Sequence, residues 1–405
     1  MGDNQMKCCA ALVGAIILCA SWVSFSSAGE ATQDSVELSI RNEGKAAIAK
    51  GIDWLLEQQQ PDGSWSSYPA VTALAISSIL RSPFGYDRNN SPQIAKGLSY
   101  IVSCVKPDGS IAIDNMPGYN TSVCLMVLTD ADDETYHEPI LNARNFLIQL
   151  QFDESDGYQP DSCFYGGIGY GKDGRPDLSN IQWALEALKV SEDFAKHSEF
   201  DMKQRDDAAP ANNLPTAGES GRGLFWDKAI LFLERCQNLK SVNKQEWAGE
   251  DGGFVYYPNY SKADGTTSYG SMTYAGLKSF IYANVEKDDP RVQAAFNWIR
   301  KNYTMDENPE MGLQGLYYYY HTMAKALNVY GDNAIQDDRG VIHNWREDLI
   351  IKLCSLQNEE GYWVNSNGRW WENNKVLVTS YCILALEEAL GYGGRPATVE
   401  LKEGN

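Results

Sequence analysis

One pattern recurs six times along the chain and limits its fold more than any single motif does. The clearest copy reads Lys50-Gly51-Ile52-Asp53-Trp54-Leu55, then Gln58-Gln59-Gln60-Pro61-Asp62-Gly63-Ser64-Trp65, then an apolar run from Ala70 to Leu80. The second has Lys96 to Ile101, Lys106-Pro107-Asp108-Gly109-Ser110, and Thr121 to Leu128. The third runs Ala143 to Gln151, Ser155-Asp156-Gly157-Tyr158, and Leu178 to Leu188; the fourth, Lys228 to Gln237, Asp251-Gly252-Gly253-Phe254, and Ser271 to Tyr282. The fifth has Val292 to Tyr303, Glu310-Met311-Gly312, and Leu316 to Val329. The sixth closes with Trp345 to Gln357, Glu360-Gly361-Tyr362-Trp363, and Val376 to Leu390.

Each unit reads as helix, Gly-centred turn, helix, the Asp-Gly pairs suiting turns that need positive φ. First helices are amphipathic, with Trp345, Leu349, Leu353 and Leu356 set against Arg346, Glu347 and Lys352. Second helices are apolar on nearly every face, and such a helix is buried on every face. The expectation is an all-α fold: an (α/α)6 toroid of six helical hairpins in two concentric rings, second helices inside, over residues 45–392 and with essentially no sheet. Residues 29–44 read as a linker, 393–405 as a tail and 191–221 as an exposed insertion. Residues 243–269, with Trp247, Tyr256, Tyr257 and Tyr260, form a long irregular link that either covers a cavity mouth or packs on the surface.

Ahead of the repeats, Lys7, the apolar stretch Ala10 to Val23 and the small residues Ser26-Ser27-Ala28 read as a signal peptide over 1–28. The protein is then exported, to a periplasmic or extracellular location; a retained single anchor is the minor alternative. A lipoprotein is disfavoured, since Leu18 precedes Cys19 where a small residue belongs. Six cysteines lie beyond the signal, without metal-site spacing, and read as buried free thiols. With 34 basic against 54 acidic residues, a formal charge of -20 excludes nucleic acid as a main partner.

The repeat resembles the Gln-Trp repeat of squalene–hopene and oxidosqualene cyclases: basic-Gly, an aromatic-aliphatic pair, Gln, then Gly-x-Trp. Lys50-Gly51, Trp54-Leu55, Gln58 and Gly63-Ser64-Trp65 carry the likeness, and Gln357 with Gly361-Tyr362-Trp363 repeats its second half. The chain is similar also to protein prenyltransferase β subunits, and most of all to exported bacterial prenyltransferase/squalene-cyclase repeat proteins. The resemblance implies a terpenoid cyclase-like toroid around a central cavity. It does not supply the chemistry. The cyclase acid motif has a counterpart in Asp130-Ala131-Asp132-Asp133-Glu134-Thr135, but this follows an inner helix and so falls at the opposite rim. The prenyltransferase zinc histidine has a counterpart in Tyr320-His321-Thr322, but Ser268 to Tyr274 offers neither the Asp nor the Cys that zinc would need. No metal and no cofactor are expected.

Candidate catalytic residues are His321 and Asp177. His321 shares a face with Tyr317 and reads either as a proton carrier or as a core histidine satisfied by a neighbour. Asp177 starts an inner helix, where it caps whatever else it does. Tyr119, Asn180, Trp183, Tyr269, Tyr274, Tyr317 and Trp370 are the candidate ligand-binding residues, with Tyr68 and Trp371 beside them. Three functions fit: a toroid binding an isoprenoid-like or other apolar small molecule or lipid, with or without cyclase-type chemistry; a carbohydrate-active enzyme; and a non-catalytic scaffold for a protein partner. An apolar cavity without opposed carboxylates favours the first, and opposed carboxylates about 5 to 9.5 Å apart the second. A plugged cavity favours the third.

Overall fold

The computed structural model describes residues 24–195 and 224–393, with side chains from residue 35 and again from 225. Among the described residues, twelve helices alternate between two rings. The outer ring holds α1 (Ser24–Glu57), α3 (Pro92–Ser103), α5 (His137–Gln149), α7 (Leu224–Cys236), α9 (Pro290–Lys301) and α11 (Trp345–Leu356). The inner ring holds α2 (Pro69–Leu80), α4 (Pro117–Asp130), α6 (Leu178–Val190), α8 (Gly270–Tyr282), α10 (Leu316–Tyr330) and α12 (Lys375–Leu390). Each inner helix packs against the next, and α12 returns to α2, so the inner ring is closed. Every described residue of α8 is buried, as an inner position requires. The fold is therefore the all-α toroid that the repeat implies.

The repeat's residues build the seams between neighbouring units. Gly63 has φ +90°, and a Cβ there would lie 2.6 Å from the Lys96 carbonyl oxygen of the next outer helix. Gly361, at φ +106°, meets the Lys50 carbonyl at 2.5 Å in the same way and so joins the last unit to the first. Gly109, Gly166 and Gly252 stand equally close to the carbonyls of Asn142, Lys228 and Ala294. A glutamine ties each of four seams: Gln59 Nε2 donates to Gly63 O (2.9 Å) and to Gln93 O of the next helix (2.7 Å), and Gln357 does so to Gly361 O and Ala47 O. Gln151 and Gln237 repeat the device. The Trp65 and Trp363 indoles donate back to Leu55 O and Leu353 O at 2.8 Å, and their rings lie where side chains on Gly97 and Gly51 would stand. An inner-helix threonine then accepts the turn's amide, as Thr72 does from Trp65 and Thr379 from Trp363.

Several expectations are corrected. The bridging glutamine of the first unit is Gln59, not Gln58, which only reaches Trp54 O on its own helix. In the third unit the seam glycine is Gly166 rather than Gly157, which has nothing within 4 Å. The fifth unit lacks the seam: Gly312 has no neighbour within 4 Å, and Asn308 holds the turn through Gln314 O and the Ser271 amide. Residues 29–44 are helical, within α1, because that helix continues along the sixth unit; Arg41 donates to Leu390 O at 3.0 Å. A small antiparallel hairpin, β1 (Ala334–Gln336) with β2 (Ile342–Asn344), links α10 and α11 and is the one sheet among the described residues, in keeping with an essentially all-helical fold. Asp337 forms its turn by accepting from Val341 N at 2.8 Å.

Most of the signal peptide, the insertion and the tail lie outside the described residues: 1–23, 196–223 and 394–405. No described helix is long and apolar enough to cross a membrane. Among the described residues all six cysteines are free thiols, four of them buried.

A Cβ at Gly361 combines a left-handed backbone with a clash against Lys50 O, whereas Gly312 has only the backbone strain (φ +57°). Gly361→Ala is expected to cost about 3 kcal/mol or more, and Gly312→Ala only about 1 kcal/mol. Urea unfolding of both variants measures this, and equal losses would refute the account of the seam.

Candidate functional site

All six inner helices run in the same direction, so their N-terminal ends meet at one face of the toroid. A cavity of about 300 Å³ opens there. Its walls carry Tyr68 and Val71 (α2 end), Met116 and Tyr119 (α4), Ser179, Asn180 and Trp183 (α6), Tyr269, Ser271 and Met272 (α8), Tyr318 (α10), and Leu377 and Tyr381 (α12). Loops add Tyr170, Tyr256, Lys262, Trp370, Trp371 and Glu372. Of the nineteen lining residues, ten are aromatic, so a ligand here meets mainly ring faces.

The helix ends that form the mouth are capped by side chains from neighbouring elements. Asp177 Oδ1 accepts from Asn180 N (3.0 Å) and Oδ2 from Asn180 Nδ2 (2.8 Å). Asn308 Oδ1 accepts from Ser271 N (2.9 Å), and Asn374 Oδ1 from Val376 N (3.0 Å). Glu372 reaches in from the loop before α12 to cap α10, accepting from Tyr318 N (2.8 Å) and, through its other oxygen, from Asn365 Nδ2 (2.6 Å). Burial raises its pKa to about 7 against these bonds, which favour the carboxylate. Burial likewise raises Asp177 above the usual carboxylate range. Tyr68 donates to Asp114 Oδ2 (2.6 Å) and accepts from Asn120 Nδ2 (3.0 Å), closing the wall between α2 and α4.

At the rim, Trp370 and Trp371 adopt left-handed φ of +56° and +66°, uncommon for bulky side chains. Their rings stay 44% and 51% exposed; Trp371 packs edge-on to Tyr68, and Trp370 covers Gly315. Ser66 and Ser67 are left-handed beside them, tied through Ser66 to Asn374.

The floor is a stack of three rings, with His321 between Trp183 (centroids 5.4 Å apart) and Tyr381 (5.1 Å). His321 is 1% exposed, and neither ring nitrogen has a hydrogen-bond partner among the described residues. Burial, reinforced by the charge of Lys325, holds its pKa well below 6.5, so the ring is neutral. Below the floor the axis is filled by charge. Glu186 accepts from Lys278 (2.5 Å) and Lys325 (2.6 Å), and Arg81 pairs with Asp130 (2.9 Å). Burial would raise Glu186, but the two ammonium groups pull it well below the normal range.

Of the residues singled out from the sequence, Tyr119, Asn180, Trp183, Tyr269 and Trp370 share the cavity. His321 lies under its floor, and Asp177 lies behind the wall as a cap, so the two candidate catalytic groups do not both face the cavity. Tyr317 is replaced on the wall by Tyr318, because the axis-facing stripe of α10 is Tyr318, His321 and Lys325 rather than Tyr317 and His321. Tyr274 lies away from the cavity, its ring edge-on to Tyr319. Sequence reasoning missed Glu372, Lys262, Tyr170 and Tyr381. Three of these sit on loops without helical period, where only the Trp-Trp-Glu string stands out. The Asp130–Thr135 acids lie at the far rim, where Asp130 binds Arg81 and Asp133 binds Arg88 (2.6 Å) and caps a short turn.

By sequence, no family model and no curated protein matches the chain. By structure, it is similar to the type II terpene cyclase MstE from Scytonema. A variant of MstE in complex with its product, merosterolic acid A, matches at TM-score 0.51 and 13% identity over 88% of this chain and 99% of that one. A second variant, in complex with its substrate geranylgeranyl dihydroxybenzoate, matches at TM-score 0.52 and 12% identity with the same coverage. The shared feature is the terpenoid cyclase-like fold.

A histidine held neutral in the fold disfavours folding once it charges in the unfolded chain. His321 should therefore cost stability as pH falls below about 6.5, the unfolded value. His321→Phe keeps the ring stack, removes two unpartnered nitrogens, and should weaken that pH dependence between about pH 7 and 5 without loss of stability. His321→Ala should cost about 2–4 kcal/mol by leaving a hole. Denaturation at several pH values measures both, and a Phe variant as unstable as the Ala variant would overturn this reading.

Proposed function

We propose that this protein is exported by its N-terminal signal and holds an isoprenoid-like or other apolar molecule on the axis of the toroid. The observation that carries the reading is the aromatic cavity of about 300 Å³, open at the mouth and closed below by the Trp183–His321–Tyr381 stack. That volume is at the lower end of small-molecule sites, and ring faces with few polar atoms suit an apolar chain. The MstE complexes support the reading in kind, since ligands of geranylgeranyl type occupy the same fold there.

Binding, rather than cyclisation, is what the side chains support. Protonating an alkene requires a strong acid directed at the cavity. The carboxyl there is Glu372, a weak acid near pH 7, and Asp177 is committed to its helix end. The start of α2, Tyr68-Pro69, offers no carboxylate. Asp177 and Glu372 are each tied to a helix end, which gives a glycosidase mechanism no opposed pair. A scaffold role draws its support from the exposed Trp370 and Trp371, side chains suited to a protein partner.

Native mass spectrometry of the purified protein is expected to show a retained lipid-like mass. Leu377→Trp, which fills the cavity from α12, should abolish retention while costing no more than about 1–3 kcal/mol. A wild-type chain free of any ligand, and unchanged by added isoprenoids, would favour the scaffold instead.

A further inference from the structure

Two cations stand at the cavity mouth of a chain whose formal charge is -20. Lys262 lines the cavity with its ammonium 4.6 Å from the centre of the Tyr256 ring and 5.5 Å from that of Tyr260. Arg369 stacks on Trp370 at 4.5 Å and bonds Gln314. Among the described residues no carboxylate forms an ion pair with either cation, although the chain carries 54 acids. Lys262 and Trp370, the ring on which Arg369 stacks, line the same cavity, which puts both cations at its mouth. The six inner-helix N-termini converge on the same end, each the positive pole of its helix dipole. Asp177 and Glu372 answer two of those poles. Two polar features run against an anion here: Glu372, whose carboxyl lines the cavity but is engaged by Tyr318 N and Asn365 Nδ2, and Asn180 Oδ1, an acceptor without a partner among the described residues.

We propose that the ligand of this cavity is an amphiphile with an anionic head, carboxylate or phosphate, seated between Lys262 and Arg369 with its apolar tail among the aromatic rings. The inference rests on the cavity-binding reading above and adds the chemistry of the head. Aromatic rings hold both cations in place without neutralising them, leaving their charge for the ligand. Because the cations are partly exposed, their contribution is screened by salt.

Four probes with one C15 tail test it: farnesol, farnesoic acid, farnesyl phosphate and farnesylamine, titrated by calorimetry against the full chain at low and high salt. The expected result is an acid or phosphate binding at least about tenfold more tightly than farnesol at low salt, with the advantage falling as salt rises. Whichever anion binds more tightly names the head. The double variant Lys262→Gln/Arg369→Gln should lose that advantage and its salt dependence, with an unchanged helical circular-dichroism spectrum showing that the variant is folded. Farnesol binding as well as the anions, or farnesylamine binding best, would overturn the inference and leave the cavity reading standing. If none of the four binds, the cavity reading fails and this inference fails with it.

Discussion

The structure depends on how closely each turn approaches the next outer helix. A hairpin with one apolar helix cannot bury that helix alone; it needs neighbours on both sides. The glycine turn supplies the approach, since its backbone lies against a carbonyl of the following helix at a distance no side chain permits. The bridging glutamine then satisfies carbonyls on both sides of the junction with one amide group. Closing the ring removes the exposed ends that an open stack of hairpins would have to cap. Placing the inner helices in parallel fixes where a cavity can form, because it brings their capped N-termini to one face, where the cavity opens.

The axis is divided by chemistry. Above the Trp183–His321–Tyr381 floor the lining is aromatic and mostly uncharged; below it, Lys278 and Lys325 share the Glu186 carboxylate in a fully buried cluster. Such an arrangement is costly to desolvate and more costly to break, since removing one partner strands a buried charge. Glu387, on α12 in the same region, has no hydrogen-bond partner for either carboxylate oxygen among the described residues, and burial raises its pKa well above the usual range. The lower half acts as a polar plug, and the depth of the cavity is set by the ring stack that rests on it.

The fold was legible because its determinants are periodic. Glycine turns, bridging glutamines and apolar inner helices recur at recognisable spacing, and each has a local physical cause. The errors lay in register. Gln58 and Gln59, or Tyr317 and Tyr318, differ by one position, and hydropathy does not distinguish two adjacent glutamines or tyrosines; the hydrogen bonds and the direction of the axis do. The site was less legible than the fold, since six of the nineteen lining residues come from loops. Glu372 reaches the cavity only because Trp370 and Trp371 take left-handed conformations just before it, and no sequence period announces that. His321 was conspicuous as a lone histidine on an inner helix, but its depth along the axis depends on the tilt and packing of six helices together.

The joint between the first and last units has a consequence for how the chain acquires its structure. Arg41 meets Leu390 and Ala47 meets Gln357 across more than 300 residues of sequence. Loop closure over such a separation is entropically unfavourable and is made only after most local contacts exist, so high contact order makes this the slow event of folding. Until it happens, the side of α1 that packs on α11 and α12 has no partner, and the chain forms an open arc with two exposed flanks. A vectorially emerging chain therefore has to keep its first helix unpaired until its last has appeared, an interval in which association with another copy of the same arc competes with self-closure.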